Sequence, residues 1–143
     1  MIKIAHESPK SIFDDVQKVT DYDYALVHLL EEDEQYLKHF EQAIKKGREV
    51  ILDNSIFELE EAFDAEKFAY WVDRIRPEWY IVPDALEESI LTMAQMDNWI
   101  AKYNDLPGKK IGVVQGKTYQ SIIDCYKYMD YVANVDMIAI SFD

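Results

Sequence analysis

The sequence has a single cysteine, Cys125, in 143 residues, which rules out a disulfide within the chain. That suits a reducing, cytoplasmic setting. Glycine and proline are also scarce, at four each. There is no G-x-G-x-x-G run, so a dinucleotide fold is not expected. No apolar run approaches the roughly 18 residues that a bilayer span requires. The first ten residues, "MIKIAHESPK", contain no apolar signal core. Basic residues are outnumbered 15 to 28, for a net charge of −13. The short basic runs "KKGR" (45–48) and "GKK" (108–110) form no broad stripe. Unaided tight binding to nucleic acid is therefore disfavoured, because phosphates need a basic surface to neutralise them. The acid excess favours solubility and a solvated outer face instead.

Hydrophobic residues make up 49 % and charged residues 30 %, enough for one domain with a real core over 1–143. Six short apolar runs recur: "IKIAH" (2–6), "YALVHLL" (24–30), "EVILD" (49–53), "WYIVPD" (79–84), "KIGVVQ" (110–115) and "DMIAIS" (136–141). Each is rich in Ile, Val or Tyr and too short for a buried helix. They read as strands covered on both faces, as in parallel sheets.

Amphipathic segments lie between these runs. Ile12, Val16 and Val19 form a short first stripe. Leu37, Phe40 and Ile44 form the second, with Gly47 as its C-cap. Phe68, Val72 and Ile75 form the third. Leu86, Ile90, Met93 and Ile100 share a face of the longest segment. Ile122, Cys125, Tyr126 and Met129 form the last, where Cys125 reads as packing. "NDLPGKK" (104–110) is turn chemistry. Six strands alternating with five helices imply a parallel sheet with right-handed crossovers. Two architectures follow: a doubly wound open sheet, or a (β/α)₈ barrel with about six of its strands, since complete barrels run to roughly 200 residues or more.

As strands, the six runs are expected to stop at polar residues: His6, His28, Asp53, Asp84, Gln115 and Ser141. In a parallel sheet these ends share one edge, the edge where α/β folds bind ligands. Polar residues also end strands and cap helices for purely structural reasons. Asp53 and Asp84 nonetheless put two carboxylates on successive strands, where a heterocycle with N–H donors could bridge them. Such a pair can divide proton transfer from recognition. His6 and His28 lack the nearby Cys or carboxylates of a zinc site, and His39 falls on a helix pattern. "GVVQGKT" (112–118) is not a P-loop, because only three residues separate its glycines where four are needed.

The strand ends resemble those of the tRNA-guanine transglycosylases. "LDNSIFE" resembles their D-S-G-G-F-Q segment, "VPDAL" their P-D-I and "IGVVQGK" their I-V-Q-G-G. "MIAIS" falls where they carry A-I-G-G, and "LVHLL" where they have N-T-Y-H-L. Order and approximate spacing agree through essentially the whole chain, closest in style to the compact phage-type members that act on 7-deazaguanine. "VQG", "PD" and "DNS" in that order are moderately specific.

The resemblance implies a (β/α)₈-type barrel that exchanges guanine in tRNA or DNA for a 7-deazaguanine. It implies Asp53 as general acid/base, Asp84 as reader of the ring N–H and amino groups, and Gln115 with Gly116 at the base's carbonyl side. Asn54, Ser55, His28 and Ser141 fall at further substrate-binding positions. No metal or cofactor is expected. The expected ligand is a guanine or 7-deazaguanine base, with tRNA or DNA joining once further strands or a partner complete the barrel. The location would be the host cytoplasm if the chain is phage-encoded.

The departures are specific. Asn54 and Ser55 stand for Ser-Gly, and Ile56 for the second glycine. Ser141 and Phe142 stand for Gly-Gly. The family's nucleophilic aspartate sits on an eighth strand, and its zinc module has no counterpart here. Open edges on strands one and six would favour a homo-oligomer. Two other readings stay open: a non-catalytic barrel remnant serving as a binding or assembly module, and an unrelated α/β enzyme using Asp53 and Asp84 on magnesium.

Overall fold

The computed structural model describes residues 1–140, so Ser141 and its neighbour Phe142 lie outside the described residues. Six parallel strands form one sheet in sequence order: β1 (Ala5–His6), β2 (Tyr22–Leu26), β3 (Glu49–Asp53), β4 (Trp79–Ile81), β5 (Lys109–Val114) and β6 (Met137–Ile140). The sheet curls into an incomplete α/β barrel, one of the two architectures that the alternating pattern left open. Neighbouring strands pair in order, with Leu26 opposite Asp53 and Ile81 opposite Ile111.

Seven α-helices, not five, occur among the described residues: α1 (Phe13–Val16), α2 (Val27–Glu32), α3 (Glu34–Lys45), α4 (Ile56–Leu59), α5 (Ala65–Ile75), α6 (Ser89–Tyr103) and α7 (Tyr119–Lys127). The two extra helices, α2 and α4, are short; α2 follows β2 directly, and α4 follows β3 after two residues. Caps fix several helix ends. The Asp33 carboxylate accepts from Gln35 N and Tyr36 N to start α3, and Asp64 accepts from Lys67 N to start α5. Thr118 and Ser121 form a reciprocal capping box on α7. Gly47 follows α3 at φ +85°, the left-handed conformation that suits glycine.

Alternation along the strands divides the apolar residues into two layers. Val50, Leu52, Tyr80, Val82 and Val114 face the helices and join Phe40, Phe68, Val72, Met96 and Trp99 in the main core. Ile51, Trp79, Ile81, Ile111, Val113 and Ala139 line the inner face with Tyr24. The third stripe, Phe68, Val72 and Ile75, is fully buried as expected. The stripe drawn through Ile90 holds in part: Met93 and Ile100 are partly buried against the main core, but Ile90 is 79 % exposed, and the residues α6 buries fully are Thr92, Met96 and Trp99. Residues 86–88 precede the helix and set no part of its phase; Glu87 has φ +59°.

At the N-terminal end of the sheet, Arg48 donates through Nη2 to Asp23 Oδ1 at 2.7 Å and to Thr20 O at 3.1 Å. Gln17 donates to the other oxygen of Asp23 at 2.6 Å. This half-buried cluster ties the start of β3 to β2, away from the C-terminal edge. No helix among the described residues is long and apolar enough to cross a membrane.

Candidate functional site

Three of the six expected strand ends converge at the C-terminal edge. Asp53 is the last residue of β3. Asp84 lies three residues past Ile81, carried there by Val82, whose N–H donates to Ile111 O at 3.1 Å and prolongs the pairing of β4 with β5. Gln115 follows Val114 directly. These three and Asn54 line one cleft of about 160 Å³. Its apolar walls are Ile81, Val113 and Ala139, with Phe57 at the side.

Asp84, only 2 % exposed, is held by two amides. Asn54 Nδ2 donates to Oδ1 at 2.7 Å and Gln115 Nε2 donates to Oδ2 at 2.7 Å. Neighbouring backbone fixes both amide orientations. Asn54 Nδ2 also donates to Val82 O at 3.1 Å, while Asn54 Oδ1 accepts from Ile56 N at 3.1 Å. Gln115 Oε1 accepts from Glu87 N at 2.9 Å. Burial pushes the Asp84 carboxyl above its ordinary range, and the hydrogen bonds from Gln115 and Asn54 pull it part of the way back.

Asp53 has a different environment. Tyr24 Oη donates to Oδ2 at 2.5 Å, and Ser55 N donates to Oδ1 at 2.6 Å. Burial again raises its carboxyl, opposed by those two bonds and reinforced by the charges of Glu58 and Asp84. Tyr24 and Phe57 were not singled out from the sequence. Strand alternation puts Tyr24 on the same face as Asp53, and that is the one signal that would have found it.

Ser55 is fully buried and adopts φ +61°, a left-handed conformation that ordinarily favours glycine. Its Oγ accepts from His28 N at 3.3 Å. His28 is not a strand end: β2 stops at Leu26, and His28 lies in the first turn of α2. Its Nδ1 is buried without a partner among the described residues, and it does not line the cleft with the acids.

Gly116 is set apart from the cleft. A Cβ there would come within 2.5 Å of Ser121 Oγ and 2.9 Å of Ile122 N, so glycine lets the chain pass close to the start of α7. It borders a neighbouring cavity of about 170 Å³ shared with Leu86, Gln115 and Ile122. His6 ends β1 as expected but borders a separate small cleft beside Asp23 and His39. Cys125 is buried against Val113 O, and burial pushes its thiol up. Among the described residues, no group of three or more His, Cys, Asp or Glu side chains is placed to hold a metal ion.

The sequence matches no protein-family model and no curated protein.

Proposed function

We propose that this chain forms the base-recognition site of a transglycosylase-like barrel that accepts guanine or a 7-deazaguanine, in the exchange of guanine in tRNA or DNA. The observation that carries the reading is the hydrogen-bond inventory of the cleft. Gln115 commits one N–H to Asp84 and its oxygen to Glu87 N, which leaves one amide N–H to give. Asp84, accepting one bond at each oxygen, keeps lone pairs for further donors. The complementary edge is a carbonyl followed by a ring N–H and an amino group, which is the edge of guanine. The apolar walls suit a flat ring, and Asp53 stands within the same cleft as the proton-handling group.

The reading covers recognition of the base and the handling of a proton at Asp53. A panel of free bases tests it, with binding followed by saturation-transfer NMR. Guanine is expected to bind. Hypoxanthine, which lacks the amino group, and adenine, which reverses the edge, are expected to bind at least about tenfold more weakly. Equal binding of all three would remove the support.

A second reading, assembly through the sheet edges, rests on a separate observation. β1 pairs only with β2 and β6 only with β5 among the described residues. Ile2 and Ile4 are exposed beside the first edge, and Ile140 is 70 % exposed on the last. Open strands of this kind pair readily, so a homo-oligomer is the expected state of the isolated chain. Light scattering over a concentration series tests it, and a constant monomer mass would count against it.

A further inference from the structure

The register of β2 and β3 sets Leu26 opposite Asp53 and Tyr24 opposite Ile51. Tyr24 therefore lies one inward position before the end of β2. Its phenol reaches along the inner face to the carboxylate at the end of the next strand. The contact is a donor bond of 2.5 Å from the hydroxyl to Asp53 Oδ2. The Ser55 N–H holds Oδ1 at 2.6 Å, in a turn where Ser55 itself adopts the left-handed backbone.

We propose that Tyr24 is a positioning residue for Asp53: it pins one carboxylate oxygen while the Ser55 N–H pins the other, so that the plane of the acid is fixed in the cleft. This rests on the reading of Asp53 as the proton-handling group of a base site. Two donors on two oxygens leave the carboxylate no free rotation, and its remaining lone pairs become the acceptors offered to a ligand.

The charges around the pair sharpen the role. Asp53 faces Glu58 on α4 and Asp84 beyond β4. Tyr24 faces Asp53, Glu58 and Glu7, with His6 and Asp23 bordering its other side. No lysine or arginine bonds to Asp53 among the described residues. Two neutral donors therefore do the work that a cation does in an ion pair. Burial, then the Asp53 charge, pushes the Tyr24 phenol far above its ordinary range, so the hydroxyl stays protonated and acts only as a donor.

The alternative is that Tyr24 merely fills space on the inner face, a role phenylalanine would preserve. The test is a Tyr24→Phe variant of the full chain with the Asp53 carboxyl carbon followed by NMR across pH. A positioning bond predicts a titration midpoint about one pH unit higher in the variant, because a donor to the charged form has gone. An unchanged midpoint overturns the proposal. A second measurement does not depend on the Tyr24→Phe variant and is read in folded Asp53→Asn. The wild-type Tyr24 hydroxyl proton is expected as a downfield resonance that disappears in Asp53→Asn; a resonance unaffected by that change also overturns it. Guanine titration of the same wild-type sample keeps the two ideas apart. Failure of guanine to bind removes the base reading, while the midpoint and the hydroxyl resonance decide the role of Tyr24.

Discussion

Asn54 Nδ2 donates to Asp84 Oδ1 at 2.7 Å, and this bond joins the loop after β3 to the loop after β4. The Asn54 amide also serves Val82 O and Ile56 N. Removing it strands three buried groups at once. Asn54→Ala is expected to lower unfolding stability by about 2 to 3 kcal/mol. Urea denaturation measures this, and a loss below about 0.5 kcal/mol would mean the network has no structural weight.

The two acids predict how stability changes with pH. Asp53 and Asp84 both have carboxyl pKa values raised above the ordinary 3.8 in the fold. A raised acid binds its proton more tightly folded than unfolded. Its contribution is thus fully present below about pH 4 and is lost as the pH climbs through the folded value. Asp53→Asn is expected to flatten part of that decline and to raise the melting temperature at pH 7, because an amide carries no charge to bury. Its oxygen can face Ser55 N and its NH₂ the Tyr24 hydroxyl. Thermal scans between pH 4 and 8 check this, and a variant less stable than wild type at pH 7 would contradict it.

The turn at Ser55 gives a backbone prediction. Its φ of +61° suits glycine and penalises β-branched side chains. Ser55→Gly loses the Oγ bond to His28 N but relieves the backbone, so a net change within about 1 kcal/mol is expected. Ser55→Val has no such relief and is expected to cost at least about 2 kcal/mol. Equal stability of the two variants would show that the backbone strain does not matter.

At the far end of the sheet, Arg48→Met leaves the Asp23 carboxylate buried without its cation. A loss of about 3 kcal/mol is expected. Because the cluster lies away from the cleft, guanine affinity in the folded variant is expected to be unchanged. A variant that keeps its stability but loses affinity would reverse that assignment.

The sheet was legible in the sequence because its strands are short apolar runs between turn signals. Asp53 and Gln115 ended their runs where expected. His28 was misplaced for a physical reason. β2 passes into α2 at Leu26–Val27 with no Gly, Pro or Asn between them, and both elements pack against the core, so apolar character marks no boundary. Ile90 failed differently. Its stripe starts at Leu86, which precedes the helix; Met93 and Ile100 still reach the core, but the most buried line runs through Thr92, whose hydroxyl bonds both Ala85 N and Ala85 O, and on to Met96 and Trp99. The acid–amide network was only half legible. The residue types at the strand ends were visible, but no pattern of letters shows that Gln115 turns its nitrogen to Asp84 because Glu87 N holds its oxygen.

The most direct test of the base-recognition account is calorimetric titration of the chain with guanine and with its 7-cyano and 7-aminomethyl 7-deaza analogues, run beside Asp84→Ala. Circular dichroism would confirm that the variant is folded. The account predicts binding by wild type and a loss of at least about a hundredfold in the folded variant, since a buried carboxylate reading two N–H groups supplies charge-assisted bonds that nothing else in the cleft replaces. No binding by wild type, or equal binding by Asp84→Ala, would contradict it.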